Sequence, residues 1–80
     1  MLVLYIKDYC AFSKKALDAV ARYKVPVTIK NRKNKEAAHE LSELQGSLEV
    51  PYMVDTDAGK VIDESDSIVE YLSSKALKVE

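Results

Sequence analysis

The chain predicts an α/β domain with one mixed four-stranded sheet, in the order β-α-β-α-β-β-α. Three observations lead there. A continuous apolar run of strand length, from Leu2 to Ile6, precedes a segment with helical spacing and then an alternating one. A second helical period follows that β-α-β pattern. Two short apolar runs then flank the turn Asp57-Ala58-Gly59-Lys60, and a last helical period ends the chain.

Each element has its own signal. Leu2-Val3-Leu4-Tyr5-Ile6 has no polar member, as expected of a strand covered on both faces. Lys7-Asp8-Tyr9-Cys10 interrupts it. From Ala11 onward Phe12, Ala16, Leu17, Val20 and Tyr23 share one helical face, with Lys14, Lys15, Asp18 and Arg22 on the other. Val25, Val27 and Ile29 alternate with Pro26, Thr28 and Lys30, predicting a strand with Pro26 at its start or at an exposed position. Ala37, Ala38, Leu41 and Leu44 repeat helically up to Gly46, a natural stop. Tyr52-Met53-Val54 and Val61-Ile62 are the strands of a hairpin. Ser65 or Ser67 caps the last helix, Ser67 with Glu70 as a capping box, and Ile68, Val69, Leu72 and Ala76 form its buried stripe. The first β-α-β unit is expected to be parallel with a right-handed crossover, and the hairpin adds antiparallel strands.

Composition bounds the function. Eighty residues make one domain, residues 1–80, and 48% hydrophobic content suits an ordinary globular core. One cysteine cannot form an internal disulfide, and one cysteine with one histidine makes a poor structural zinc site, so no metal is expected. A net charge of −1 gives no broad basic face for nucleic acid, and the run Lys30-Asn31-Arg32-Lys33-Asn34-Lys35 is simplest as a solvated loop. No apolar stretch approaches the ~20 residues of a membrane span. The opening apolar run is too short for a signal-peptide core, which with the single thiol points to a reducing, cytoplasmic setting.

Cys10 lies where the first strand ends and the first helix begins. The first turn of a helix carries unpaired N–H groups and a partial positive charge, both of which stabilise a thiolate. A cysteine there can titrate at about 3.5–7.5 instead of ~8.5. Lys7 adds positive charge three residues upstream. The competing reading of Cys10 is a small buried hydrophobe, a common fate of free cysteine.

These residues resemble a family. Tyr9-Cys10-Ala11-Phe12-Ser13 after an apolar strand is similar to the active-site segment of glutaredoxins, which carry Cys-x-x-Cys or Cys-x-x-Ser there in a thioredoxin-like fold. Val50-Pro51 resembles their Val-Pro dipeptide, whose proline is cis. Glu64-Ser65-Asp66 resembles their glutathione-binding turn, and residues 64–72 are also similar to the Glu-Ser signature in the N-terminal domain of glutathione transferases. The resemblance spans about residues 2–74.

The resemblance implies a glutathione-dependent thiol–disulfide oxidoreductase with Cys10 as nucleophile. Lys7, Phe12, Val50, Pro51, Glu64, Ser65 and Asp66 would bind glutathione, the co-substrate, and Tyr9, Ala11 and Ser13 would stand beside the active site. Val50 would offer its backbone to the cysteine of glutathione. Ser65 and Asp66 would take the γ-glutamyl end, or serve as helix caps. Lys35 and His39, on or near the second helix, are read first as solvated side chains, with contact to the glycine carboxylate as the alternative that the resemblance implies. Ser13 replaces a second cysteine, which implies a monothiol mechanism, and Ala11 replaces the usual proline or glycine. Partners would be glutathionylated or disulfide-containing proteins, with no nucleic acid or membrane, and the domain would be a monomer. Two alternatives stand beside this reading. One is a [2Fe–2S] carrier in which two protomers each supply a cysteine and a glutathione, four thiolates in all. The other is a glutathione-transferase-like binding module.

Overall fold

The computed structural model describes residues 1–77 of the chain. Residues 78–80 of the single-domain reading lie outside the described residues. Seven elements follow one another: β1 (Leu2–Ile6), α1 (Ala11–Tyr23), β2 (Thr28–Asn31), α2 (Lys35–Gln45), β3 (Tyr52–Asp55), β4 (Lys60–Ile62) and α3 (Ser65–Leu77). The strands form one sheet in the order β2-β1-β3-β4. β1 and β2 are parallel, with Val3 opposite Thr28. β1 and β3 are antiparallel, with Leu4 opposite Met53, and β3 and β4 close the hairpin. This is the mixed sheet and element order that the sequence predicts, in the thioredoxin-like arrangement.

All five residues of β1 are buried because the central strand is covered on both faces. Successive side chains point to opposite sides. Leu2, Leu4 and Ile6 join Ala16, Ala19, Val25, Met53, Ile68 and Leu72 in one cluster, built on α1 and α3. Val3 and Tyr5 join Ala37, Leu41 and Tyr52 in a second, smaller cluster on the α2 side. The Tyr5 hydroxyl donates to Glu40 Oε1 at 2.9 Å, and Lys30 Nζ reaches the same oxygen at 2.7 Å. Burial, then the Glu40 carboxylate, pushes the Tyr5 hydroxyl up to about 12.

Helix ends follow local chemistry. The Asn34 side chain accepts the N–H groups of Glu36 (2.9 Å) and Ala37 (3.1 Å), opening α2. Gly46 closes it in the left-handed region, with φ 76°. At the far end of β3 the buried Asp55 carboxylate accepts the N–H groups of Asp57 (3.1 Å) and Ala58 (3.2 Å) and the Tyr71 hydroxyl, with Lys75 Nζ at 3.5 Å. The Tyr71 hydrogen bond is the main cause that holds this carboxyl down to about 2. Asp55 thereby ties the β3–β4 turn to α3.

The structure corrects several local expectations. The alternation Val25-Val27-Ile29 is not one strand: pairing with β1 begins at Thr28, because Pro26 has no N–H to give a ladder. Val25 packs in the larger core instead, and Ile29 is exposed on the edge strand. Phe12 leaves the buried face of α1, which consists of Ser13, Ala16 and Ala19. Leu44 is exposed at the end of α2. Ser67 does not cap α3. The helix already begins at Ser65, and the Ile68 N–H donates to the Glu64 carbonyl at 2.9 Å, so Ser67 is an exposed first-turn residue.

Candidate active site

Cys10 is the N-cap of α1, with extended backbone (φ −118°, ψ 119°), and its carbonyl accepts the Lys14 N–H at 2.9 Å. No acidic residue stands in the first turn, so no side chain competes with a thiolate for the free N–H groups. Cys10 is partly exposed. The Ser13 main-chain N–H is the largest influence holding the Cys10 thiol below its ordinary range. The Ser13 hydroxyl, the Phe12 N–H and the charge of Lys7 act in the same sense, against a desolvation that raises it. Ser13 itself is 1% exposed, and its Oγ accepts the Lys7 main-chain N–H at 3.3 Å. Immediately before Cys10, Tyr9 adopts φ 55°, a sparsely populated conformation for a residue with a Cβ, and its ring projects fully into solvent.

Two clefts meet at Phe12 and Val50, and the first of them reaches Cys10. One, of about 400 Å³, is lined by Lys7, Cys10, Phe12, Arg32, Leu48, Glu49 and Val50. The other, of about 330 Å³, is lined by Phe12, Val50, Pro51, Asp63, Glu64, Ser65 and Asp66. Phe12, 64% exposed, and Val50 belong to both. The first cleft carries two cations, Lys7 and Arg32, against one carboxylate, Glu49, a net positive balance, whereas the second carries Asp63, Glu64 and Asp66 and also holds the free N–H groups at the start of α3. The Val50-Pro51 peptide bond is cis, as the resemblance implied. On the other flank of Cys10 a hollow of about 380 Å³ includes Tyr9, Ala11, Lys14 and Leu17.

The structure thus gathers Lys7, Cys10, Phe12, Val50, Pro51, Glu64, Ser65 and Asp66 around one groove, with Ser13 beneath it and Tyr9 and Ala11 beside it. Asp66 is not free: Lys15 Nζ forms an ion pair with its carboxylate. Lys35 and His39 are not part of the groove, and His39 pairs with Glu43 at 3.1 Å along α2.

Arg32 is the residue that sequence reasoning missed. Its N–H donates to the Ile6 carbonyl (2.8 Å), and its Nη1 donates to the Leu48 carbonyl (2.7 Å). The run Lys30–Lys35 is therefore not a uniformly solvated loop. Lys30 is tied to Glu40, Lys33 to Asp8 at 3.1 Å, and Arg32 lines the cleft. The available signal was its place directly after β2, at the same sheet end as Cys10.

Among the described residues no group of three or more His, Cys, Asp or Glu side chains could hold a metal ion. No described helix is long and apolar enough to cross a membrane.

Comparison with known proteins agrees with this fold. A glutathione S-transferase from Bombyx mori is 26% identical over 94% of the chain and 35% of its own length, with a TM-score of 0.77. One from the Antarctic clam Laternula elliptica is 27% identical over 98% of the chain and 36% of its own, with a TM-score of 0.76. Glutaredoxin 2 from Salmonella typhimurium, solved in complex with glutathione, is 29% identical over 90% of the chain and 32% of its own, with a TM-score of 0.71. The chain therefore spans about a third of these proteins. No curated protein sequence matches it. The family model for the N-terminal domain of glutathione S-transferases matches residues 4–78, and the chain belongs to that family.

Proposed function

We propose that this domain binds glutathione and uses Cys10 to reduce glutathione mixed disulfides by a monothiol mechanism, in a reducing compartment such as the cytoplasm. The observation that carries the reading is the placement of Cys10 beside a groove basic at one end and acidic at the other. Glutathione has a matching distribution of charge. Its glycine carboxylate would face Lys7 and Arg32. Its γ-glutamyl carboxylate would take the free N–H groups at Ser65 and Asp66. Its ammonium would face Glu64 and Asp66, displacing Lys15 from the latter. The Val50 backbone would pair with the central cysteine, with Phe12 and Pro51 beside it.

In the reaction, the Cys10 thiolate attacks the glutathione sulfur of the mixed disulfide. The sulfur–sulfur bond to the target breaks, and the target leaves as a thiolate that takes a proton from water. Cys10 then carries glutathione as a disulfide. The thiolate of a second glutathione attacks the glutathione sulfur of that bond, releasing oxidised glutathione and regenerating Cys10. A lowered nucleophile pKa raises the thiolate fraction near neutrality. With Ser13 in place of a second thiol, a target disulfide attacked directly would stay joined to Cys10 until outside thiol released it.

The test is turnover of a glutathionylated peptide by glutathione, coupled to oxidised-glutathione reduction. The parent is expected to turn over and Cys10→Ser to be inactive with its fold retained. Turnover by Cys10→Ser would overturn the assignment.

The family match favours a second reading, a glutathione-binding module of a transferase. Conjugation of glutathione to an aryl halide, without turnover of the glutathionylated peptide, would select it. The [2Fe–2S] alternative needs four thiolates, of which this chain supplies one. An absorption band in anaerobically purified protein with glutathione would identify it.

A further inference from the structure

Three consecutive residues at the end of β2 hold the loop that leads to Cys10. The Arg32 N–H donates to the Ile6 carbonyl at 2.8 Å, where β1 ends. On either side of Arg32, Asn31 Nδ2 donates to Asp8 Oδ1 at 2.9 Å and Lys33 Nζ to Asp8 Oδ2 at 3.1 Å. The Asn31 amide is itself fixed, because its Oδ1 accepts the Lys33 main-chain N–H at 3.0 Å. That contact leaves the NH2 group of Asn31 to face Asp8. Both carboxylate oxygens of Asp8 are thus taken by one turn. Asp8 is exposed and lines neither cleft of the groove, so neither core packing nor the groove accounts for its contacts.

We infer that Asp8 is a positioning residue: its carboxylate, gripped by Asn31 and Lys33, sets the separation between the two walls of the first cleft, with Lys7 and Cys10 on one and Arg32 on the other. The loop needs such a tie. Residues 7–10 lie in no strand or helix. Tyr9 stands between Asp8 and Cys10 with φ 55° and its ring in solvent, so its side chain does nothing to hold the turn. A residue with a Cβ keeps such a conformation only where its surroundings determine it. Downstream the Cys10 carbonyl is fixed by the Lys14 N–H, and upstream Asp8 is fixed by the β2–α2 turn. Lys33, then Asn31, hold the Asp8 carboxyl below its ordinary range, in keeping with a carboxylate that stays charged in this grip. The Arg32 side chain, between the two gripping residues, lines the cleft and donates to the Leu48 carbonyl at 2.7 Å.

The tie itself is tested without glutathione, by backbone order parameters from nitrogen-15 relaxation of the free domain. Rigid backbone gives about 0.85 and flexible backbone less than about 0.6. Asp8→Ala is expected to lower the values of residues 7–9 and 31–33 together toward the flexible range, with α1 and α3 unchanged. Asn31→Ala should loosen residues 7–9 in return. Asp8→Asn, which still accepts from Asn31, should stay near the parent. A merely stabilising role would lower the melting temperature and leave these order parameters in place, and that result, or loosening confined to the mutated segment, overturns the inference. The consequence for the cleft rests on the glutathione reading. Asp8→Ala should raise KM for the glutathionylated peptide by about two- to fivefold. Arg32→Gln should then add less to KM in the Asp8→Ala background than in the parent, because the two residues act through one wall. Fully additive effects would overturn the wall-separation role. A parent that turns over no glutathionylated peptide would refute the proposed function instead, and the relaxation result then decides this inference alone.

Discussion

Replacing Leu41 with alanine separates the two halves of the core. Leu41 is fully buried, and with Ala37 it is all that α2 buries. A buried Leu→Ala change costs about 2–5 kcal/mol. The lower half of that range applies here, because the α2-side cluster is small and Val50 and Val54 at its edge can shift inward. A domain of 80 residues has roughly 4–12 kcal/mol in total, so about 2–3 kcal/mol is a large part of it. At about 4–8 °C per kcal/mol for this size, melting should fall by roughly 10–20 °C. The loss should also be local. Amides of α2 should exchange with solvent well before those of α1 and α3, whose cluster lies on the other face of the sheet. Arg32 and Leu48 flank α2 in the chain, so glutathione should bind more weakly, while the pH midpoint of Cys10 alkylation should not move. Thermal unfolding, hydrogen exchange and alkylation check the three parts. A melting change of less than about 3 °C, or equal loss of protection in α1, α2 and α3, would refute the two-cluster reasoning.

Three further outcomes follow from the groove and its surroundings. Lys7→Gln and Arg32→Gln should each raise KM for a glutathionylated peptide by about two- to fivefold, as expected for exposed charge pairs, and less so at high salt; an unchanged KM at low salt removes that residue from the site. Lys15→Gln should lower the same KM by up to about fivefold by freeing Asp66 for the ligand's ammonium, and a raised KM would show that Lys15 itself contacts the ligand. The Asp55 carboxyl is held to about 2 against an ordinary 3.8. Its contribution to stability is therefore complete above the unfolded value and lost as pH falls from there through about 2. Asp55→Asn should lower stability near neutrality and flatten the acid limb of a urea-midpoint profile, and an acid limb as steep as the parent's would contradict that role.

The fold was legible where the pattern was long or unmixed. Leu2 to Ile6 could be read as a doubly covered strand because no polar residue interrupts it, and Gly46 as a helix end because the left-handed residue there has no Cβ. Misreadings arose where tertiary context decided. Val25 alternates with Val27 and Ile29 but turns into the larger core, since Pro26 cannot join the ladder. Phe12 has helical spacing with Ala16, yet it faces the groove, because a cleft at the helix start gives an aromatic ring somewhere to lie outside the core. The residues that line the groove were picked out through the family resemblance, and the chemistry of a helix start singled out Cys10 independently. Arg32 was not legible: a basic run has no periodicity to tell a cleft residue from a solvated one. The Asp66–Lys15 pair joins residues 51 apart in sequence, which no local pattern reveals.

The alternation along β1 also governs which length changes the chain can tolerate. Leu2, Leu4 and Ile6 serve one layer, and Val3 and Tyr5 the other. Inserting or deleting one residue inside β1 would send each side chain beyond the change to the opposite layer and displace β2 and β3, which pair along both its edges. The stretch between Ile6 and Cys10 has no such constraint from the sheet. A residue added there would leave both layers filled and move the sulfur relative to Val50. In descent from a common ancestor, or under directed evolution, indels should therefore be purged from β1 for foldability but be admissible in residues 7–9. There they would retune the nucleophile's reach without rebuilding the domain.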